Sequence, residues 1–436
     1  MPTPSLILVP ARFKTGKLYT PLATTSGGVV LGASGDFNVT RALNTATRVN
    51  ESGLIEVVAS GIPRLDYFAS GGVVGCPALL VEPSAQNIMA QSETLSVSGN
   101  WARTNVLVSG GAIASPDGLA SGTLIVATSG SNTHWIERNA ATTVTSGTAV
   151  TTSCFFKAHG TNTFAQLVIG NIGFSPASPF ANFNLTGSGS VTAGNYTSAF
   201  IQNYGNGWYR CGFTTTAAGN GTAGINICPI LASGTGRATT FTGDGVNGVY
   251  AWGAQVETGS VATSYIPTTT AAVTRNADVI SVSGAVSGCI GQTEGTLYAE
   301  IVAQPYNGAL FPAILQVDDG ADSQRFAIFI HASGGIRVRL NASGINLGID
   351  STNPATLVVG QTYKIAAAFG FNGSQALYIN GVFQVSGSVT AGPFTAALNR
   401  VMLGHRGGIV SPFLIRSAAL YATRLTNAEL AALTTL

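Results

Sequence analysis

Short runs of β-branched and aromatic residues, separated by turn-forming residues, recur along most of this chain. Glycine alone occupies 55 of the 436 positions, and serine, threonine and asparagine fill many of the remaining turns. Such runs predict short strands, and their close spacing favours antiparallel pairing over a βαβ arrangement. The pattern therefore predicts an all-β fold of antiparallel β-sandwich (jelly-roll) domains.

The chain divides into three zones, and its length suits two or three domains, each with its own core. Residues 1–90 show little sustained alternation and many isolated Pro and Gly residues, which predicts an N-terminal extended arm. Residues 91–275 predict a first sandwich, with a seam near Thr268-Thr269-Thr270, and residues 276–436 predict a second sandwich with clearer alternation.

Two local patterns predict specific structures in the last zone. The pair Asn380-Gly381 lies between two strand-like runs and suits the type I′ turn of a hairpin. Thr426 and Glu429 have the spacing of a capping box before Leu430 and Leu433, which predicts one short helix that packs back on a sheet.

Charged residues make up only 9% of the chain, and the formal net charge of +2 is spread thinly. With no run of Lys or Arg to neutralise a row of phosphates, nucleic-acid binding is not expected. The 45% hydrophobic content argues against disorder. No apolar run reaches membrane-spanning length, and the opening Leu6-Ile7-Leu8-Val9 run is too short for a signal peptide, so no membrane insertion is expected.

Five cysteines lie in the chain without CxxC spacing. Their odd number and strand-like surroundings predict buried free thiols, which suits synthesis in a reducing cytoplasm.

The residues of common catalytic sites are sparse. Acidic side chains are mostly single, the four histidines are far apart, and no GxSxG motif is present with a following acid and His. We therefore expect no catalytic residues and no enzymatic activity.

One acidic cluster, Asp318, Asp319 and Asp322, lies between two predicted strands. Its oxygens could bind calcium. The alternative is a solvated turn in which Asp and Gly favour the bend.

Glycan sites commonly combine an aromatic ring with amide or guanidinium donors. Trp208 and Trp252 lie in apolar runs and are predicted to be core residues, whereas Trp135 has polar neighbours and is predicted at a binding rim. In the last zone, predicted glycan donors concentrate near the open face of a sheet, with scattered solvated charge as the alternative; these are Arg325, Arg337, Arg339, His405 and Arg406.

The last zone resembles the concanavalin/laminin-G-like jelly roll. The resemblance rests on runs in the order typical of that fold: Gly295-Thr296-Leu297-Tyr298, Thr362-Tyr363-Lys364-Ile365, Ala376-Leu377-Tyr378-Ile379-Asn380-Gly381, Val401-Met402-Leu403-Gly404 and Arg424-Leu425-Thr426. The fold hosts lectins, adhesins, hydrolases and inert spacers, so it implies no single function.

The front of the chain resembles virion proteins of phages and gene-transfer agents described as tail-fibre or head-spike proteins. The matching runs include Val39-Thr40-Arg41-Ala42, Pro63-Arg64-Leu65-Asp66-Tyr67 and Leu80-Val81-Glu82-Pro83. The middle zone resembles the carbohydrate-module-like sandwich that follows such a front end, through Gly207-Trp208-Tyr209-Arg210, Ser264-Tyr265-Ile266-Pro267 and Thr274-Arg275-Asn276-Ala277-Asp278.

These resemblances imply a structural component of a phage-like virion, made in the host cytoplasm, with residues 1–90 as its attachment arm. Its implied partners are capsid, portal-vertex or tail proteins and host surface polysaccharide, and its implied assembly is a homotrimer. Adhesion to surface glycans is the favoured function. A non-binding capsid decoration or spacer is the alternative, and a glycan depolymerase is a third.

Overall fold

The computed structural model describes residues 3–10, 13–19, 22–23, 29–30, 36–284, 286–306, 308, 311–343, 345–371, 373–389 and 392–436. Within these residues, the named strands pair in antiparallel fashion in four large sheets and three small ones. One 3-10 helix spans Ser287–Cys289 and one α-helix spans Asn427–Thr434. The predicted all-β class of antiparallel sandwiches is confirmed.

Two sheets form an outer sandwich. In spatial order, sheet I contains Val382–Ser388, Ser374–Ile379, Thr362–Gly370, Glu294–Val302, Phe413–Tyr421, Leu6–Leu8, Leu22–Ala23 and Val29–Val30, with Gly72–Val81 and Arg64–Ala69 attached beside Phe413–Tyr421. Sheet II contains Phe13–Lys14, Lys17–Leu18, Phe37–Thr40, Val279–Ser283, Arg400–Leu403, Ala313–Asp318, Arg325–Ile330, Ile336–Ala342 and Ile345–Asp350.

Two further sheets form a middle sandwich. Sheet III contains Val106–Ile113, Gly122–Ala127, Gly248–Thr258, Ala149–His159, Trp208–Ala217 and Phe174–Ser175, with Ala85–Asn87, Val273–Arg275 and Ser198–Gly205 attached at its sides. Sheet IV contains Ala102–Thr104, Trp135–Asn139, Gly224–Ile230, Phe164–Gly170, Phe180–Asn184 and Ser190–Asn195. Three two-stranded sheets are Ala46–Val49 with Ile55–Val58, Gly130–Asn132 with Phe241–Gly243, and His405–Arg406 with Ile409–Val410.

The front of the chain belongs to the outer sandwich. The strand Leu6–Leu8 pairs with Phe413–Tyr421, and Phe37–Thr40 pairs with Val279–Ser283. Leu8 and Phe37 are fully buried in the same core as the C-terminal strands. The segment predicted as an extended arm is therefore integrated into both sheets of the outer sandwich, because the apolar residues of its short strands complete that core. The middle sandwich is inserted between the two halves of the outer one.

Each sandwich has its own apolar core, produced by alternation along the strands. In Ile336–Ala342, for example, Ile336, Val338 and Leu340 are buried while the intervening residues are half-exposed. The middle sandwich buries Trp101 completely, with its indole N–H donating to the carbonyl of Gln91 at 3.0 Å.

The hairpin and helix signals are both confirmed. Asn380 and Gly381 have φ angles of 49° and 78°, the left-handed values that a type I′ turn requires, and they join Ser374–Ile379 to Val382–Ser388. The helix Asn427–Thr434 begins with the predicted capping box, in which Glu429 N–H donates to the Thr426 hydroxyl and the Glu429 carboxylate accepts from Thr426 N–H.

A buried ionic cluster lies where the two sandwiches meet, and we call its residues Arg41, Arg64, Glu82, Arg275 and Asp278 the junction network. Arg64 Nη1 donates to Glu82 Oε2 at 2.6 Å, and Arg64 Nη2 donates to Asp278 Oδ2. Arg41 Nη1 donates to Asp278 Oδ1 at 2.9 Å, while Arg275 Nη1 lies 3.4 Å from Glu82 Oε2. Arg41, Arg64 and Glu82 belong to the runs that resemble virion proteins, and Arg275 and Asp278 belong to a run that resembles the carbohydrate-module-like sandwich. The structure brings these runs together at the domain junction.

Glu82 stays ionised within this network. Burial would raise its pKa, but the charges of Arg275 and Arg64, together with hydrogen bonds from Ser264 and Arg64, outweigh burial and lower the pKa to about 2. Ser264, in the middle sandwich, donates to Glu82 through both its backbone N–H and its hydroxyl, each at 2.7 Å. The network thereby ties the two sandwiches together.

An aromatic cluster beside the network completes the junction. Phe155, Trp208 and Trp252 from sheet III pack with Tyr265 and with Val49 of the front segment. The Trp252 and Tyr265 rings lie 4.7 Å apart between centroids. Burial of Trp208 and Trp252 confirms their predicted core positions.

Of the five cysteines, Cys154, Cys211, Cys228 and Cys289 are buried free thiols, as predicted, whereas Cys76 is exposed. Cys76 lies in the exposed half of the Gly72–Val81 strand, beyond the part that enters the core. Among the described residues, no helix has the length and apolarity needed to cross a membrane.

Candidate functional site

Alternation along two neighbouring strands of sheet II brings three of the predicted arginines to one surface. In Ile336–Ala342, the residues between the buried apolar positions are Arg337 and Arg339. The adjacent strand Arg325–Ile330 places Ala327 opposite Arg339 and Phe329 opposite Arg337, with Arg325 one step further along. These side chains share the outer surface of sheet II because residues two apart on a strand face the same side.

Arg406 joins this surface from the short hairpin His405–Arg406 and Ile409–Val410. Its guanidinium carbon lies 5.6 Å from the centre of the Phe329 ring, and that of Arg325 lies 6.0 Å from the same ring. We call this surface, formed by Arg325, Arg337, Arg339 and Arg406 around Phe311 and Phe329, the basic face.

Three of the four arginines have carboxylate partners. Arg337 forms a two-pronged ion pair with Asp350 on the neighbouring strand. Asp322 pairs with Arg325 Nη1 and with Arg406 Nε, each at 3.0 Å. The hydrogen bond from Arg337 lowers the pKa of the Asp350 carboxyl and raises that of the Arg337 guanidinium.

Arg339 differs from its neighbours, since it forms no salt bridge with any described residue. Its guanidinium carbon lies 5.4 Å from the Phe311 ring centre, and its Nε is buried without a hydrogen-bond partner. Partial burial, followed by the positive charges of Arg337, Arg325 and Arg406, lowers its pKa. The side chain remains half-exposed, so a ligand in solution can reach it.

The acidic loop beside the basic face is held by donors of the same chain. Asp318, fully buried, accepts from Arg400 Nε at 2.8 Å and from Gln316 Nε2 at 2.6 Å. Asp319 accepts from the backbone N–H groups of Ala321 and Ser323 and from the Ser323 hydroxyl. These bonds close the turn.

The three carboxylates of the calcium prediction therefore lie in one loop, and their oxygens accept from donors of the same chain; Gln316 Nε2 donates to both Asp318 and Asp322. Burial would raise the pKa of Asp319, yet the hydrogen bonds from Ser323, Ala321 and Gln324 lower it. Within the part of the chain that the structure describes, no three His, Cys, Asp or Glu side chains form a group that could hold a metal ion. Calcium binding stays a prediction.

Two predicted site residues lie away from the basic face. His405 is buried, with Nε2 3.1 Å from the carbonyl oxygen of Ile280, and burial lowers its pKa. Its neighbour Arg406 faces outward and His405 inward, which the sequence pair alone did not reveal.

Trp135 lies on the other sandwich, in sheet IV. It is half-buried against an apolar patch that includes Val168 and Phe180, and its indole N–H donates to Glu137 Oε2 at 3.1 Å. The structure thus places the predicted aromatic and the predicted arginines on separate domains.

A cleft of about 430 Å³ opens at the junction, between sheet III and the outer sandwich. Asp66 and Glu82 are the acids that line it. Asp66 Oδ2 accepts from Val49 N–H and Oδ1 from Phe68 N–H, both at 2.9 Å, and Glu82 belongs to the junction network. Burial raises the pKa of Asp66, against the lowering effect of those two hydrogen bonds.

Sequence reasoning missed Phe311 and Asp350. Phe311 precedes a strand and Asp350 ends one, so neither lies in a recognisable motif. The alternation of Arg337 and Arg339 with Ile336 and Val338 could have indicated their common surface, but not which acid would pair with which arginine.

No protein-family model matches the chain, and no curated protein matches it. Solved structures give partial similarities. The carbohydrate-binding module CBM40 of the Ruminococcus gnavus IT-sialidase, bound to α2,3-sialyllactose, is 23% identical over 34% of this chain and 87% of that one, with a TM-score of 0.29.

The NanB sialidase of Streptococcus pneumoniae is 19% identical, covering 36% of this chain and 26% of that one, with a TM-score of 0.29. The heptameric SAP-like pentraxin of Limulus polyphemus is 17% identical, covering 32% and 69%, with a TM-score of 0.26. At these TM-scores, the similarities carry no argument about what this chain binds.

Proposed function

We propose that this chain is a non-enzymatic glycan-binding protein and that its basic face binds an acidic surface glycan. The observation that carries the proposal is Arg339, a half-exposed guanidinium without a carboxylate partner among the described residues, set among three other arginines. An anionic group placed there would supply the missing partner.

The chemistry of the basic face supports an acidic ligand. Guanidinium groups bind carboxylates through paired, charge-assisted hydrogen bonds, and they do so with better geometry than an ammonium group. Phe311 lies beneath both Arg337 and Arg339, at 5.1 and 5.4 Å, so aromatic contacts position the two donors. This arrangement favours recognition of carboxylates spaced along a polymer.

We further propose that the protein is part of a phage-like virion, a head spike or tail fibre. It would contact capsid, portal-vertex or tail proteins and assemble as a homotrimer. This part rests on the sequence resemblance of the front and middle zones. Several copies on one particle would turn a weak single-site affinity into strong attachment through effective concentration.

The full-length chain can be tested on immobilised alginate, a polyuronate, with neutral dextran as the comparison polymer. We expect saturable binding to alginate, little to dextran, and loss of alginate binding in Arg339→Ala. Arg416→Ala is the matched control, because Arg416 is 35% exposed on sheet I and lies 3.9 Å from its acidic neighbour Glu300.

The result also separates the competing functions. A folded protein that binds neither polymer would favour the capsid-decoration or spacer function and contradict the proposed one. Release of new reducing ends from alginate would indicate a depolymerase. Equal loss in Arg339→Ala and Arg416→Ala would show that binding follows overall charge and not the basic face.

A further inference from the structure

The junction cleft contains a second arginine without a salt bridge to any described residue. Arg210, in the strand Trp208–Ala217, is only 3% exposed, and it lines the cleft. Its Nη2 donates to the Ser153 hydroxyl at 3.2 Å and it interacts with Tyr204, but its Nε is buried without a hydrogen-bond partner. The buried carboxylate of Glu257 attracts this guanidinium from beyond salt-bridge distance. It is therefore the unused Nε donor, and not a missing counter-charge, that makes Arg210 a contact point for an anionic ligand.

The residues that line the cleft indicate the size and polarity of a ligand that would fit it. Apolar side chains from both sandwiches, including Phe68, Phe200 and Leu414, form most of its surface, and Gln202 and Gln304 add polar groups. Its volume of about 430 Å³ lies in the range of small-molecule sites. A compact molecule with one apolar side, one charged group and a few hydroxyls matches this lining.

The acids of the cleft limit the charge that it can accept. Asp66 and Glu82 line it together with Arg210. Glu82 is already paired with Arg64 and Arg275, so it is mainly the charge of Asp66 that disfavours a doubly charged group such as a phosphate monoester. A single carboxylate meets Arg210 with less repulsion.

We propose that the junction cleft binds a compact monocarboxylate of about the size of one acidic sugar unit, with its carboxylate on Arg210. The choice of a sugar acid rests on the proposed glycan-binding function, whereas the site itself is separate from the basic face.

Two neighbouring valines provide a matched test at the mouth of the cleft. Val359 lines the cleft and is 54% exposed, whereas Val358 is 55% exposed but does not line it. Tryptophan at position 359 should fill the entrance, and tryptophan at position 358 adds the same bulk outside it. Binding of sodium glucuronate to the full chain can be followed by saturation-transfer NMR and calorimetry, with glucose as the neutral probe.

We expect glucuronate to bind at least tenfold more tightly than glucose. Val359→Trp should weaken glucuronate binding at least tenfold, and Val358→Trp should change it less than twofold. Arg210→Lys should weaken it several-fold while retaining a positive charge; should that variant not fold, the valine pair still decides. Inorganic phosphate should compete poorly with glucuronate.

Equal affinity for glucuronate and glucose, no binding of either, or an unchanged affinity in Val359→Trp would overturn the inference. Its failure can be distinguished from failure of the proposed function. Arg339→Ala should weaken alginate binding roughly 10- to 100-fold and leave glucuronate binding unchanged. Val359→Trp should weaken glucuronate binding, and in that variant Arg339→Ala should still weaken alginate binding.

Discussion

The molecule contains two clusters of arginines that differ in their burial and in their carboxylate partners. In the junction network, Arg41 and Arg64 each donate to carboxylates whose side chains are at most 4% exposed. On the basic face, Asp350 is 44% exposed and Arg339 has no carboxylate partner among the described residues. Arginines therefore link the two sandwiches through ion pairs in the junction network, whereas on the basic face Arg339 keeps unpaired hydrogen-bond donors.

The difference follows from solvent access. When the carboxylate partner of a buried guanidinium is removed, water cannot take its place. Each carboxylate of the junction network therefore contributes to stability. A half-exposed guanidinium is hydrated when it has no carboxylate partner. It can therefore stay unpaired in the absence of a ligand at little cost in stability. Charge alone does not tell the two clusters apart, but the partial exposure of Arg337, Arg339 and Arg406 does; Arg325 is the buried member of the basic face.

The largest expected effect comes from removing an acid of the junction. Glu82→Gln should lower the free energy of unfolding by about 3–5 kcal/mol, since it leaves Arg64 and Arg275 buried with less counter-charge. Urea denaturation followed by tryptophan fluorescence measures it. The control is Glu56→Gln, whose exposed pair with Arg48 should contribute about 1 kcal/mol or less. Equal effects of the two variants would contradict the distinction between buried and exposed clusters.

Lowering the pH should remove the contribution of Glu82 to the free energy of unfolding. Its pKa falls from 4.5 in the unfolded chain to about 2 in the folded one, so its contribution is complete above pH 4.5 and is lost as pH falls toward 2. The stability gap between wild type and Glu82→Gln should therefore narrow across that range. Asp66 and Glu257, whose burial raises their pKa values, act in the opposite sense and are common to both proteins. A gap that stays constant down to pH 2 would show that Glu82 acts through packing.

On the basic face, removal of an arginine should affect binding and spare the fold. Arg339→Ala should weaken alginate binding by roughly 10- to 100-fold, the loss expected for hydrogen bonds to a charged group. Its unfolding free energy should change by less than about 1 kcal/mol, because Arg339 faces three like charges. Calorimetry gives the alginate affinity, and urea denaturation of the same preparation gives the free energy of unfolding. A large loss of stability would show that Arg339 stabilises the fold as the junction arginines do.

Removal of an acid from the basic face should mainly raise ligand affinity, whereas removal of an acid from the junction should mainly lower stability. Asp350→Asn releases Arg337 as a second free donor, so alginate affinity should rise about threefold, with a stability cost of about 1 kcal/mol or less. Surface plasmon resonance at two salt concentrations can measure it, and the gain should shrink at high salt. Weaker binding would mean that Asp350 orients Arg337 for the ligand.

The smallest effect is expected for metal removal. The oxygens of Asp318 and Asp319 accept hydrogen bonds from donors of the same chain, so EDTA should shift the Tm by less than about 1 °C. A scanning-calorimetry trace with and without EDTA tests this. A drop of several degrees that calcium reverses would instead support the calcium prediction.

Local signals were sufficient to predict much of the secondary structure. The Asn380-Gly381 turn, the Thr426 capping box and the burial of Trp208 and Trp252 all depend on short-range pattern or on the preference of large rings for a core. These are the properties that a few neighbouring residues determine.

Long-range pairing was beyond the same reasoning. Leu6 and Leu8 lie in a short apolar run whose place in the fold is not apparent until Phe413–Tyr421 is placed beside it. His405 and Arg406 are adjacent in sequence yet face opposite ways, and the partner of Arg337 is Asp350 on the next strand. Registers and pairings of this kind emerge only when the sheets are assembled.

The insertion of one sandwich into the other has a consequence for how the protein is made. Leu6 pairs with Leu420, so the strand Leu6–Leu8 is synthesised long before its neighbour Phe413–Tyr421 is available to pair with it. The inserted sandwich can close as soon as residue 275 has emerged, and it brings Ala85 beside Arg275. The nascent N-terminal apolar segments remain open to aggregation during that delay, and a polypeptide that stops short of residue 413 would never cover them.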